Sequence, residues 1–409
     1  ALAPAGDDLR RGAAAGFLGL AAWASGDLEA AYRHYAEGMA SLERAGHVAD
    51  ALDGAITLAD IRVAQGRLRD AERLLDRAVR RATEPGTAYP HRAPDLLVAL
   101  AELRRERDDL AAADQHLLRS RELAAAAGGA HNRARWGATM ARLRVARGDL
   151  DGALALLDEV EGPGVGNYLP EGRPLASLRA RVWVARGRLD DAAAWARERG
   201  LSSDDDLSYL REHEHLTLAR VLLARAAGEG PARELPGFLA RLLRAAEAGG
   251  RTGSVIDCLV LQALAHRASG DLQAALGPLA RALALAEREG YVRTFVDEGP
   301  PLAALLETGA ARGIAPRLVR PLLAAFGRSG AAPPANRDLI EPLSERELAV
   351  LRLLATELDG PAIARELLVS PNTMRTHTRN IYGKLGVNNR RAAVRRAEEL
   401  RLLSRARNG

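Results

Sequence analysis

"GDLEAA", residues 26–31, decides the fold, because the chain repeats its pattern along most of its length. The other copies are "GRLRDA" from Gly66, "DDLAAA" from Asp108, "GDLDGA" from Gly148, "GRLDDA" from Gly187 and "GDLQAA" from Gly270. Each sets a Leu (28, 68, 110, 150, 189, 272) three residues before an Ala (31, 71, 113, 153, 192, 275), and successive Leu positions lie 40, 42, 40, 39 and 83 residues apart. The long step spans two periods, with a degenerate unit near "GEGPARELPGFLARLL" (228–243). Each Gly follows an apolar helical stretch such as "RVWVAR" (181–186), where a helix end calls for a left-handed residue, and the Leu opens a second helix. The Ala one turn on lets the two helices approach closely. A lone hairpin cannot bury its apolar face, so the units stack into an all-α, right-handed solenoid whose concave face is a binding groove.

This period resembles tetratricopeptide repeats of the longer, roughly 40-residue kind. The reading gives residues 1–326 to the solenoid. After about residue 290, "REGYVRTFVDEGPPLAALL" and "GIAPRLVRPLLAAF" (313–326) are short helices that cap it. "EGPGVGNYLPEGRP" (161–174) and the acidic "GLSSDDDLSYL" (200–210) are loops between helices. "GRSGAAPPANRD" (327–338), stiffened by paired prolines, opens a linker spanning 327–341.

Several function classes drop out. Lys384 is the chain's only lysine and Leu385 follows it, so the Gly-x-x-x-x-Gly-Lys-Ser/Thr phosphate loop is absent. Gly162, Gly164 and Gly166 have no strand before them and make no nucleotide site. His213 and His215 stand about 200° apart on a helix, whereas metal ligands share a face at i and i+3 or i+4. The single Cys258 permits neither an internal disulfide nor a cysteine zinc cluster and reads as a small buried hydrophobe. No catalytic set at recognisable local spacing appears, and the expectation is no enzyme, no metal and no cofactor. With no apolar run near the roughly 20 residues of a membrane span, the reading places the protein in the cytoplasm, off the membrane.

The net charge is +5, and it is concentrated at one end. Residues 342–409 hold 13 Arg and Lys against 7 Asp and Glu, while residues 1–341 hold 45 against 46. That asymmetry is the footprint of a domain that binds a polyanion.

Four helices can be read there. Ser344 with Glu347 makes a capping box, Leu343 with Leu348 a hydrophobic staple, and Leu348, Leu351 and Leu354 one buried face. "DGPAIARELL" (359–368) carries Ile363 and Leu367 inward. After a tight turn, Ser370 caps and Pro371 opens a third helix that runs to Leu385 and closes at Gly386, with Val387 placed for a Schellman end. Met374, Thr378, Ile381 and Leu385 form its inward stripe. Asn372, Thr373, Arg375, Thr376, Arg379, Asn380 and Lys384 face out. Two helices joined by a tight turn, the second presenting Arg, Thr and Asn, form a helix-turn-helix that enters the major groove. Arg375 and Arg379, one turn apart, can both reach guanine edges.

The stretch from Leu343 to Leu403, with "SPNT", "TH" and "NIYGKL", resembles the LuxR-type helix-turn-helix over about 60 residues. The repeat array, with "YLREHEHLTLARVLLA" and "GYVRTFVDEG", looks like the sensor part of that family's large ATP-binding, maltose-activator-like subgroup. The resemblance implies base reading by Arg375, Thr376 and Arg379, and positions near phosphates for Thr373, Asn380 and Lys384. It also implies dimerisation through the last helix (390–400), around Val394 and Ala397. Three departures stand out. Thr378 replaces an apolar residue and must spend its hydroxyl on a carbonyl such as that of Met374. Gly360-Pro361-Ala362 removes the expected capping box of the second helix. The resemblance also implies a nucleotide-binding module before the repeats, which these 409 residues do not include.

The expectation is therefore a transcriptional activator that binds a promoter inverted repeat in double-stranded DNA as a homodimer. It works with RNA polymerase, and its solenoid takes an effector or a protein partner. The alternatives are the C-terminal part of a longer ATP-dependent switch, suggested by a first residue other than Met, or a repeat scaffold with a nonspecific nucleic-acid anchor.

Overall fold

The computed structural model describes residues 4–84, 89–127, 133–160, 174–229, 233–329, 343, 345–356, 358–367, 369–385 and 387–399. Two compact units divide the chain, the first ending at Phe326. Among the described residues the regular elements are helices, with no strand.

Among the described residues the first unit holds seven hairpins, followed by further helices. The hairpins are α1 (Pro4–Ser25) with α2 (Leu28–Arg44), α3 (Val48–Ala64) with α4 (Leu68–Thr83), and α5 (Ala93–Glu106) with α6 (Leu110–Ala127). Then follow α7 (Arg133–Ala146) with α8 (Leu150–Val160), α9 (Leu175–Ala185) with α10 (Leu189–Glu198), and α11 (Glu212–Glu229) with α12 (Leu235–Ala248), before α13 (Thr252–Ala268) with α14 (Leu272–Glu287). Every repeated Leu opens the second helix of a hairpin, and all six Ala residues three positions on are 0% exposed. There a larger side chain would hold the helices apart. In the degenerate unit the same register survives as Leu235 and Phe238, both buried. Gly26, Gly66, Gly148, Gly187 and Gly270 have φ between 77° and 86°, the left-handed end that the sequence calls for. The residues after Gly26, Gly66, Gly187 and Gly270 donate back six to one, as Asp27 does to the Ala22 carbonyl at 3.0 Å and Arg188 to that of Trp183 at 2.8 Å.

The third of these ends has no glycine. Asp108 adopts φ 64°, a conformation that costs a non-glycine residue about 1 kcal/mol. Its carboxylate accepts a hydrogen bond from Arg293 Nη1 at 3.1 Å, across 185 residues of sequence.

That contact belongs to a closure which the repeat pattern alone does not announce. The odd-numbered helices from α3 to α13 pack each on the next, and α13 returns to α3, so the array winds until its ends meet. Gly253 sits under the Val63 and Ala64 carbonyls, and Trp23 on α1 donates to Tyr209 Oη at 2.8 Å. Burial, opposed by that bond, pushes the Tyr209 phenol up to about 12. The segment after α14 does more than cap. Tyr291, with Phe295 and Val296 of α15 (Arg293–Val296) and residues of α16 (Pro300–Ala311), joins one core with α3, α4 and α5, while Val292 N–H donates to the Glu106 carbonyl. Then α17 (Pro316–Ser329) runs three residues into the stretch read as linker; the rest of that linker, 330–341, lies outside the described residues, as do residues 161–173.

The concave face is thus a closed interior, in place of the open groove expected, and it is lined with charge. Arg105 on α5 reaches Glu106, Asp297 and Glu102 at 3.0, 3.1 and 3.2 Å. Arg220 on α11 reaches Asp257 and Glu298, each at 2.6 Å, and Arg135 on α7 makes a fork to Asp60 at 2.7 and 2.9 Å. Burial alone would pull the guanidinium of Arg105 down, but its three carboxylates more than offset it and hold it above its ordinary value. Arg220 is held up in the same way, against burial, by Glu298 and Asp257. His213 and His215 take different partners, Ser177 Oγ at 2.8 Å and Asp205 Oδ2 at 3.0 Å. Cys258 is a buried thiol pushed up by its burial.

Candidate nucleic-acid interface

The second unit contains α18 (Glu345–Leu354), α19 (Gly360–Glu366), α20 (Pro371–Leu385) and α21 (Arg390–Glu399). Leu348, Leu351 and Leu354 are buried as the spacing predicts, and Val350 joins them. Leu343 and Leu348 share that core, as the staple requires; Ser344, the other half of the capping box, lies outside the described residues. The second helix keeps a cap despite its unusual start, because Asp359 Oδ1 accepts from the Ala362 N–H at 2.8 Å.

Helix α20 is fixed at both ends. Ser370 Oγ accepts from the Thr373 N–H at 3.0 Å. At the other end Val387 N–H donates to the Tyr382 carbonyl at 2.9 Å, the six-to-one bond of a Schellman end. Gly386 itself lies outside the described residues. Met374, Ile381 and Leu385 are buried in the domain core. Thr378 is half-buried and gives its hydroxyl to the Met374 carbonyl at 2.9 Å, the carbonyl named from the sequence. With that stripe pinned, the opposite face cannot rotate away from solvent.

Asn372, Thr373, Arg375, Thr376, Arg379 and Asn380 are all exposed. Among the described residues, no hydrogen bond or ion pair engages the guanidinium of Arg375 or Arg379. They stand one turn apart, about 6 Å along the helix axis. Thr376 spends its proton on the Asn372 carbonyl at 3.1 Å, and Thr373 shares a 2.8 Å hydroxyl bond with Ser370. Both hydroxyls keep acceptor capacity. The arrangement offers two unpaired forks, two amides and two hydroxyls on one rigid face, a set able to match base edges and phosphate oxygens.

Two of the expected residues are engaged within the domain itself. Lys384 does not join the outward face: its Nζ donates to Glu347 Oε2 at 2.9 Å, and Glu347 is buried. The reason is angular, since Lys384 lies about 60° round the helix from Ile381 and so flanks the buried stripe. Ala397, expected at a contact between copies, is likewise held within the domain. It is 0% exposed in the domain's own core beside Ala393, and the half-buried Val394 packs against the same core. Spacing i, i+4 puts Ala393 and Ala397 on one face, and that face turns inward; Arg391, Arg395 and Arg396 stand on the exposed side.

Arg390 has a role the sequence reading missed. Its guanidinium donates to the carbonyls of Thr356 and Leu358 at 2.6 Å and of Leu354 at 2.8 Å, closing the C-terminal end of α18. A basic residue opening α21 carries no local sign of serving a helix 36 residues earlier.

Comparison with known proteins adds two family matches. Residues 1–312 match the MalT-like TPR region, and residues 341–397 match the bacterial regulatory proteins of the luxR family. Two curated relatives are proteins named HTH-type transcriptional regulator MalT from Klebsiella pneumoniae, one from subsp. pneumoniae (strain ATCC 700721 / MGH 78578) and one from strain 342. Each is 30% identical over 287 residues, which cover 64% of this chain. The match spans 31% of the length of each of these relatives.

Proposed function

We propose, because the chain belongs to the family defined by the MalT-like TPR region and carries a luxR-family domain, that it is a sequence-specific DNA-binding transcriptional regulator, and an activator. The observation that carries this reading is the outward face of α20, where Arg375 and Arg379 stand exposed and unpaired on a helix locked by its caps and its buried stripe. The name of the two relatives points the same way.

In this reading residues 1–326 sense a signal or bind a partner, 327–341 connect, and 342–409 bind double-stranded DNA. Arg375, Thr376 and Arg379 read base edges in the major groove. Asn372, Thr373 and Asn380 hold phosphates. Two copies meet on an inverted repeat, which brings the activating surface to RNA polymerase. The reading assigns the chain no reaction of its own and places it in the cytoplasm, where its DNA is; no described helix is long and apolar enough to cross a membrane.

Selection of duplex DNA from a random library by the purified chain, at near-physiological salt, tests it. The expected product is an inverted repeat with half-sites about one helical turn apart. Binding without any enriched sequence, vanishing as salt rises, is the signature of a scaffold with a nonspecific anchor and would overturn the proposal.

A further inference from the structure

In the charged interior of the solenoid, Arg181 makes no hydrogen bond among the described residues. Arg181 lies on α9 between Ala180 and Val182, both fully buried, and points its guanidinium toward Glu298 on the segment that closes the ring. Its nearest carboxylate oxygen is Glu298 Oε1, 3.9 Å from Nη2 and beyond hydrogen-bond reach. That oxygen is already taken, since Arg220 donates to it through Nε at 2.8 Å and approaches it through Nη2 at 2.6 Å. The neighbouring Asp257 is also held by Arg220. Two guanidinium groups thus face one pair of carboxylates, and one of them takes both.

The surroundings sharpen the contrast. Arg105, Arg220 and Arg293 keep 5%, 7% and 2% of their side-chain surface open and are fully engaged, whereas Arg181 keeps 28%. Arg135 is similarly open at 30%, but both arms of its fork are closed on Asp60. Burial, reinforced by the charge of Arg220, lowers the Arg181 guanidinium to about 10, the opposite direction from Arg105, Arg135 and Arg220. A cation that is deep in the ring, short of partners and still open on one side is an energetic cost that an oxyanion would relieve.

We propose that Arg181 is the docking residue for a small molecule bearing a carboxylate or phosphate group, which enters the ring and closes a bidentate pair on the free guanidinium fork. This deepens the reading of the solenoid as the sensing unit and rests on it. The ligand supplies the counter-charge that Glu298 cannot, because Arg220 holds it. A neutral molecule would leave the charge as uncompensated as before.

The test uses the full chain with inorganic phosphate, pyrophosphate and citrate as probes, each at about 10 mM against potassium chloride of matched ionic strength, followed by thermal unfolding and calorimetric titration. At least one probe is expected to raise Tm in the wild type and in the surface control Arg197→Met. In Arg181→Met its affinity should fall at least about ten-fold, while the probe-free variant melts no lower than the wild type because an uncompensated buried charge has gone. Arg181→Lys keeps the charge without the fork, should fold, and should bind about ten-fold more weakly. Any of three results overturns the proposal: no probe exceeds the chloride effect, Arg181→Met or Arg181→Lys binds as the wild type does, or probe-free Arg181→Met melts well below it and so marks Arg181 as a strut. Affinity for the selected DNA, measured alongside, separates the two ideas. Loss of anion binding with DNA recognition intact sinks only this site, and the converse sinks only the regulator.

Discussion

The two units use arginine in opposite ways. In the solenoid, Arg105, Arg220 and Arg293 turn inward, are almost sealed from solvent, and each meets two or more carboxylates. In the C-terminal unit, Arg375 and Arg379 turn outward and have no partner among the described residues. The charge tally follows this division, with near balance over residues 1–341 and all of the surplus beyond. A guanidinium paired at home holds a fold together, and one left without a partner on a rigid helix is available to a polyanion outside. Position in the helix decides which. The solenoid arginines sit on the inner face of a ring, where an unpaired charge would be costly, and the α20 arginines sit opposite a pinned apolar stripe, where water covers them until DNA does.

The largest blow to this contrast comes from the inner set. Arg293 is 2% exposed and holds Asp297 and Asp108, so Arg293→Ala takes this cation from the buried Asp108 and leaves Asp297 to Arg105. Urea unfolding should show a loss of about 3–5 kcal/mol. At temperatures where the variant stays folded its affinity for the selected DNA should match the wild type. A loss under about 1 kcal/mol would mean that the ring closes without its ion pairs.

Lys384 lies on the boundary between the two uses. Paired with buried Glu347, it should behave like a solenoid arginine despite its place in the DNA-reading helix. Lys384→Met is expected to cost about 2–3 kcal/mol of domain stability. The dependence of DNA affinity on salt should keep its slope; a slope shallower by about 1 would return Lys384 to the phosphate contacts. Arg375→Ala should do the reverse. It should weaken the best site by about 1–3 kcal/mol and relax preference at one base position, with stability unchanged. Uniform loss across sequences would make Arg375 a phosphate contact. Below these comes the cap of the reading helix, where Ser370→Ala should lower stability by about 1 kcal/mol, readable in the same urea curve.

What the sequence made legible was local. The Leu–Ala pairs, the glycine ends, the Ser370 cap, the α20 stripe and even the carbonyl that Thr378 takes all lie within a few residues of one another, where helical geometry fixes neighbours. Ring closure was not legible, because Trp23 meets Tyr209 across 186 residues and Asp108 meets Arg293 across 185, and no period records such contacts. Arg390 reaching α18 failed for the same reason. Ala397 is a different case. Ala393, Val394 and Ala397 form an apolar stripe that spacing alone assigns to the core, and the resemblance to a dimerising helix outweighed that stripe. The outward six residues of α20 were legible because two independent local signals, stripe and caps, agreed on the same face.

Asp108 joins the local signal to the distant one, and it gives the finest test of the contrast. As a helix end it is the wrong residue, because the other repeats put glycine at φ 77–86° where Asp108 sits at 64°. If that conformation were its whole role, Asp108→Gly would relieve strain and stabilise the protein by about 1 kcal/mol. Its carboxylate, however, is half of the pair that brings Arg293 across to α5, and removing it leaves a sealed guanidinium with Asp297 as the main counter-charge. That loss is worth about 1.5–3 kcal/mol for a hydrogen bond to a charged group. The second effect wins, and Asp108→Gly should destabilise by about 1 kcal/mol net. Asp108→Asn keeps the left-handed tolerance without the charge, so it should fall on the same side of the wild type. Stabilisation by glycine would show that the ring's ends are held by the apolar core of Phe295 and Leu306 alone, and that the inward arginines serve something other than closure.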